Sequence, residues 1–248
     1  MRNLDKLDLK EHIASTEKKQ RYVNHLFETI ASRYDFFTVF MSFGMDRGWK
    51  RTLAGLPEMK ADALILDLAC GTGDITFEVA RRANSWGVIG LDINDAMLEI
   101  AERKRRNRGV RNVCFHRGDI MRMPFAGATF DYITSGYALR NVPEITGALF
   151  EIRRVLKPGG RFFALDFGHP ANGISRWLYI NYLILAGSAA GALMHGDPDT
   201  YRYIGETLKL YPGQRKVKEL MERSGFVDTG FREFGGGIMA INYGARPG

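Results

Sequence analysis

Short apolar runs alternate along the chain with longer stretches whose apolar residues recur every three or four positions. Leu64-Ile65-Leu66-Asp67-Leu68 reads as a buried strand, and Ile75, Val79 and Ala80 follow at helical spacing. Val88-Ile89-Gly90-Leu91-Asp92 predicts a second strand, and a helix from about Asp95 to Arg106 places Met97, Ile100 and Ala101 on one face. Val113-Cys114-Phe115 and Phe130-Asp131-Tyr132-Ile133-Thr134 predict the third and fourth strands. A helix over 144–155, with Ile145, Ala148, Leu149 and Ile152 inward, stops at Lys157-Pro158-Gly159-Gly160, because Pro and Gly punctuate helix C-termini. Arg161–Asp166 is the fifth strand.

Strands alternating with helices imply a mostly parallel, doubly wound sheet covered on both faces. Beyond Asp166 the alternation stops. Residues 170–210 predict two or more helices, 214–223 another, and Phe226–Phe231 and Ile238–Tyr243 two closing strands able to pair antiparallel. The expected architecture is α/β and Rossmann-like: a seven-stranded sheet domain over 57–248, a helical insertion over 170–210, and an N-terminal helical arm over 1–56, helical across 17–54.

Composition changes this picture little. The 248 residues are 45% hydrophobic and 25% charged, ordinary for a soluble globular protein. Cys70 and Cys114 are too few for a disulfide framework and lack metal-ligand spacing, so no metal is expected. Met1–Lys6 runs into mixed charges without an apolar core, which argues against a secretory signal and makes the cytoplasm the default. The net charge of +7 is uneven: Arg103, Lys104, Arg105, Arg106, Arg108 and Arg111 fall together without an acid. Such a stretch suits RNA or an anionic membrane, and equally a solvated helix end. No aromatics interleave with it, so no nucleic-acid partner is expected.

The candidate chemistry lies where the first strand opens into Ala69-Cys70-Gly71-Thr72-Gly73, since doubly wound sheets bind ligands beyond their strands' carboxyl ends. A dinucleotide fingerprint needs a third glycine at position 76, which is Thr76, and Asp74 would oppose a pyrophosphate. A cationic sulfonium prefers the opposite charge. Asp67, Asp92 and Asp119 stand at or just past the ends of the first three strands. Asp92 is placed to grip two ribose hydroxyls, Asp119 to accept from an adenine amine, and Ile93 and Ile120 to cover the ring. With Gly71 and Gly73, these residues predict a binding site for S-adenosylmethionine (SAM) and a class I methyltransferase. Cys70 is expected to pack.

Asp67-Leu-Ala-Cys-Gly-Thr-Gly-Asp74, Ala138-Leu-Arg-Asn-Val142, Arg154-Val-Leu-Lys-Pro-Gly-Gly160 and Tyr201-Arg-Tyr203 together resemble the UbiE/MenG family, the C-methyltransferases of ubiquinone and menaquinone biosynthesis. Ser32-Arg-Tyr-Asp35 and Met41–Arg51 also fit, so the resemblance spans about residues 25–244. The glycine loop is shared by many methyltransferases; Leu-Arg-Asn-Val and Met-Ser-x-Gly are far more specific. The resemblance implies donor contacts at Thr72, Asp92, Asp119 and Ile120, and a further one at Gly136, where the family often has Ser. Two segments depart from the pattern: Tyr34-Asp-Phe-Phe-Thr-Val39, usually Tyr-Asp-x-Met-Asn-Asp, and Asp46, usually His.

Methylating a ring carbon requires a deprotonated phenol or hydroquinone, hence an oxyanion stabiliser and a base. Arg140 and Asn141 follow the fourth strand and are expected to stabilise and orient that oxygen; the alternative is that Arg140 pairs with an acid and Asn141 caps the helix near Glu144. His169, beside Asp166, can titrate usefully. Tyr34, Tyr201 and Tyr203 are expected to line the acceptor pocket, and no residue declares itself the base. Trp177–Met194 is 18 residues without a charge, long enough to suggest a membrane span. Asn181, Ser188 and its position inside one sheet domain predict instead a buried or interfacial helix lining an apolar pocket. A prenylated quinol, peripheral contact with the inner face of a membrane, and a homodimer fit this expectation. Another aromatic acceptor, RNA, or a non-catalytic SAM-binding role remain open alternatives.

Overall fold

The computed structural model describes residues 16–56, 59–60, 62–82 and 87–248, so the first fifteen residues of the expected arm lie outside it. Seven strands form one sheet: β1 (Leu64–Leu68), β2 (Gly87–Asp92), β3 (Val113–Arg117), β4 (Phe130–Gly136), β5 (Leu156–Phe167), β6 (Val227–Phe234) and β7 (Met239–Ala245). Their order is β3-β2-β1-β4-β5-β7-β6. The first five run parallel, while β7 pairs antiparallel with both β5 and β6. The mostly parallel doubly wound sheet is therefore borne out.

Period-two alternation builds two cores. Leu66, Leu68, Ile133, Phe162 and Ala164 fall in one buried cluster. Ile65, Val88, Tyr132, Phe163 and Leu165 fall in the other. Neighbouring residues of one strand thus serve opposite faces. The connecting helices are α4 (Asp74–Arg82), α5 (Asp95–Asn107), α6 (Ile145–Val155) and α9 (Gly213–Arg223). Asn94 caps α5, its side chain accepting from Met97 N, and Glu144 caps α6 by accepting from Thr146 N at 2.7 Å.

β5 begins five residues earlier than expected, because Leu156 already pairs with Phe130; pairing then resumes only at Tyr132–Arg161. Residues 157–160 bulge between those pairs, where Pro158 has no N–H to offer a ladder.

The expected helical arm breaks into α1 (Thr16–Ile30), a short 3-10 turn, α2 (Tyr34–Met41) and α3 (Asp46–Gly55). After β5 come α7 (Gly173–His195) and α8 (Asp199–Leu210). These two helices approach closely: a Cβ on Gly187 would meet the Tyr201 carbonyl oxygen at 2.8 Å, so only glycine fits there. Val23, Leu26, Ile30 and Phe37 from the arm pack with Ala190, Tyr201 and Tyr203 in a third cluster, with Phe37 and Tyr201 rings stacked 3.5 Å apart. The arm and the α7–α8 pair thus close together over one end of the sheet.

Candidate active site

The strand order reverses between β1 and β4, and beyond that crevice lies a cavity of about 980 Å³ counted to its open mouth. Gly71, Thr72, Asp92, Ile93, Asp119, Ile120 and Gly136 all line it. The loop after β1 turns sharply, with Gly71 and Gly73 at φ 54° and 86°, a conformation that costs glycine nothing. Gly71 N–H donates to Asp92 Oδ2 at 2.8 Å and Asn94 N–H to Asp92 Oδ1 at 2.9 Å. Each Asp92 oxygen keeps a further lone pair for a ligand hydroxyl. Burial raises its pKa despite those hydrogen bonds. Asp119 accepts from Met121 N–H at 2.9 Å. A Cβ on Gly136 would sit 2.2 Å from Ile75 Cδ1; Ile75 fills the space a larger residue would occupy.

Asp67 and Gly73 do not line this cavity. Asp67 lies wholly buried beneath the loop, accepting from Thr76 Oγ1 at 2.6 Å and Thr134 Oγ1 at 2.8 Å. Burial pushes its pKa up to about 7, against the pull of the two hydroxyls. Its place is to tie β1, β4 and α4 together under the loop.

A second cavity, about 1080 Å³, adjoins the first and is mainly apolar. Phe27, Tyr34 and Tyr137 belong to the walls of both. Tyr201, Tyr203 and Arg140 line the second, Asn141 the first. Arg140 is buried; Asp166 accepts from its backbone N–H at 3.2 Å and approaches its Nε at 3.9 Å. Its guanidinium also donates to Thr207 Oγ1 and lies 5.0 Å from the centre of the Phe167 ring. Asn141 donates from Nδ2 to the Tyr137 carbonyl at 2.9 Å and accepts from Tyr203 Oη at 3.2 Å. Arg140 does pair with an acid, as the alternative had it, yet lines the cavity at the same time. Asn141 does not cap the following helix; Glu144 does.

His169 joins neither cavity. Its Nε2 sits 3.1 Å from the Leu208 carbonyl, its backbone N–H donates to Gln214 Oε1 at 2.7 Å, and burial lowers its pKa. A histidine just past a strand end can turn toward the site or away from it, and here α8, through the Leu208 carbonyl, and α9, through Gln214, hold it away.

Sequence reading missed a polar chain that joins the arm to the glycine loop. Thr72 Oγ1 donates to Asp35 Oδ1 at 2.5 Å, and Lys104 Nζ reaches Asp35 at 2.6 Å and Asp74 at 3.0 Å. Lys50 Nζ bridges Asp74 at 3.1 Å and Asp46 at 2.7 Å. Burial works against the Lys50 ammonium, but the Asp74 and Asp46 carboxylates outweigh it and raise its pKa. Tyr137 Oη then donates to Asp46 Oδ1 at 2.6 Å. Much of the basic stretch is spoken for within the chain: besides Lys104, Arg105 and Arg106 pair with Glu102, and Arg108 lies over the Phe77 ring. The only early signal was an acid or base recurring in arm and loop.

A family model described as the ubiE/COQ5 methyltransferase family matches residues 15–246. The chain belongs to that family. It is 38% identical over 233 residues, 93% of each chain, to the ubiquinone/menaquinone biosynthesis C-methyltransferase UbiE of Marinomonas sp. (strain MWYL1). It is 37% identical to the protein of that name from Cellvibrio japonicus, over 93% of this chain and 94% of the other. Among solved structures, a SAM-dependent methyltransferase from Thermotoga maritima matches with a TM-score of 0.65 at 18% identity, over 90% of this chain and 99% of the other. This family member is thus a SAM-dependent methyltransferase. The first cavity is lined by the Asp74, Asp92 and Asp119 carboxylates, the Lys50 ammonium paired with Asp74, and apolar side chains of the arm and strand ends.

Proposed function

We propose that this methyltransferase places the methyl group of SAM on a ring carbon of a demethylated, prenylated quinol. The observation that carries the proposal is the pair of abutting cavities, one acid-lined and one apolar, sharing Phe27, Tyr34 and Tyr137 as walls. SAM supplies an electrophilic methyl on a cationic sulfur. In the second cavity Arg140 offers a guanidinium to a quinol oxygen bearing negative charge, and Asp166 and Thr207 hold it in place. Asn141, fixed by Tyr203 and Tyr137, orients the acceptor at the boundary. Asp92, Asp119 and the glycine loop hold the nucleoside; Asp67 positions that loop from below. The arm and the 170–210 insertion together serve as the acceptor's cap.

The same face suits a lipid surface. Among the described residues, α7 is the one helix long and apolar enough, by length and composition, to cross a membrane, and 28% of its most apolar window is buried. One side packs on α8 and supplies Tyr179, Tyr182 and Leu183 to the acceptor cavity. The helix also exposes Ile174, Trp177, Leu178, Leu185 and Leu193, and the arm exposes Phe36, Phe40 and Phe43, the last stacked on Tyr182 of α7. Arg33, Arg47 and Arg51 are exposed nearby in the sequence. Exposed apolar side chains on α7 and the arm, with Arg33 held at the end of α7 through the Met194 carbonyl, fit peripheral docking on an anionic bilayer that holds the acceptor. A second copy of the chain is the competing occupant.

Incubation with labelled SAM and a panel of demethylquinols, other phenols and RNA tests the acceptor. Label is expected in the ring of a quinol; label found only in another product overturns the assignment.

A further inference from the structure

Tyr137 is an aromatic residue held at φ 60°, a left-handed backbone conformation uncommon outside glycine and sparse enough to mark functional sites. It follows β4 directly, at the boundary of the two cavities, and its hydroxyl donates to Asp46 Oδ1 at 2.6 Å. Asp46 is 1% exposed and reaches the arm's own Lys50, which in turn reaches Asp74. Other charged or titratable groups around this point are Tyr34 and Asp35 of α2, Tyr179 of α7, and Arg140 after β4. A buried carboxylate held by a lysine and a phenol, ending at a reaction cavity, is more than packing requires.

Resting on the acceptor assignment above, we propose that Tyr137 is a catalytic residue and Asp46 its positioning partner, together forming a relay that takes the acceptor's hydroxyl proton. As the acceptor O–H bond breaks, its proton bonds to Tyr137 Oη. The Tyr137 O–H proton passes to Asp46 Oδ1, so the negative charge moves from the carboxylate to the acceptor oxygen. The ring carbon then takes the methyl group, and the S–C electron pair stays on sulfur. The ring proton leaves to water, aromaticity returns, and Asp46 and Tyr137 hand the stored proton back to the product oxygen. One proton is released in total, and nothing is oxidised or reduced. Lys50, 2.7 Å from Asp46 Oδ2, keeps the carboxylate aimed at Tyr137.

The test compares the full-length wild type with Tyr137→Phe and Asp46→Asn, using SAM and reduced demethylquinols whose hydroxyl acidity is varied by ring substituents. Both variants are expected to bind SAM with a Kd within about threefold of wild type while kcat falls about a hundredfold, the usual worth of a positioned acid–base group. The loss should shrink for the more acidic acceptors, and kcat of Tyr137→Phe should rise more steeply with pH. Retained kcat in Tyr137→Phe, or an equal loss on every acceptor together with weakened SAM binding, overturns the relay. Wild type active only on non-quinol phenols would fail the quinol assignment, and the same comparison on that phenol then decides the relay. Wild type inactive on every acceptor while binding SAM sinks both.

Discussion

Among single residues, Asp67 shows how burial turns a polar signal into structure. It sits at the end of β1 where a donor contact was expected, but its oxygens face Thr76 and Thr134 instead of the cavity. Its folded pKa, about 7 against an ordinary 3.8, means that the folded chain holds this proton more tightly than the unfolded one. That stabilisation is complete below about pH 4 and is lost as pH rises through about 7, on the order of 4 kcal/mol in all. Asp67→Asn, which cannot ionise, should lose this decline. Urea unfolding midpoints at pH 4.5 and 7.5 measure it, and identical slopes in variant and wild type would refute the assignment. That Asp92 and Asp119 line the first cavity was legible because strand ends in this fold point at the crevice. His169 and Arg140 were not equally legible, since which way a loop side chain turns depends on α8 and α9, which arrive some forty to seventy residues later.

At the level of elements, α7 carries the clearest test. Its uncharged stretch read correctly as a helix lining an apolar pocket, but its sequence alone did not show which side stays open. Gly187, Ala190 and Gly191 mark the seam against α8 and the arm, leaving Leu178 and Leu185 outward. Leu178→Lys with Leu185→Lys should leave folding and SAM binding intact, because both side chains are exposed. Flotation with vesicles of mixed neutral and anionic phospholipid should show at least tenfold weaker binding for the double variant. Undiminished flotation, or loss of a sedimenting dimer in its place, would assign the face to another partner. The helix starts near Asp95 and Glu144 were visible in advance because apolar spacing is local; the caps were not, since Asn94 and Glu144 hold those places and Asn141 does not. The bulge at 157–160 was not, because only pairing with β4 defines it.

For the whole molecule, the donor cavity borrows walls from the arm, the sheet and the loop after β4. SAM should therefore stabilise the whole folded chain. At a hundred times its Kd the gain is about 2.7 kcal/mol, roughly 5–10 °C in melting temperature for a chain of this size. Asp92→Ala should abolish most of that shift in a thermal-melt series, and an unchanged shift would remove Asp92 from the donor site. By itself the sequence determined the strand–helix alternation, the acids at successive strand ends and the family, because hydrophobic period and strand-end chemistry are local and repeat along the chain. Only the tertiary structure decided that Asp67 supports the site from beneath, that Lys104 and Asp35 latch the arm over the loop, and that Tyr137 meets Asp46 across 91 residues. Such pairings are set by how helices far apart in sequence pack on one sheet, and no spacing along the chain encodes them.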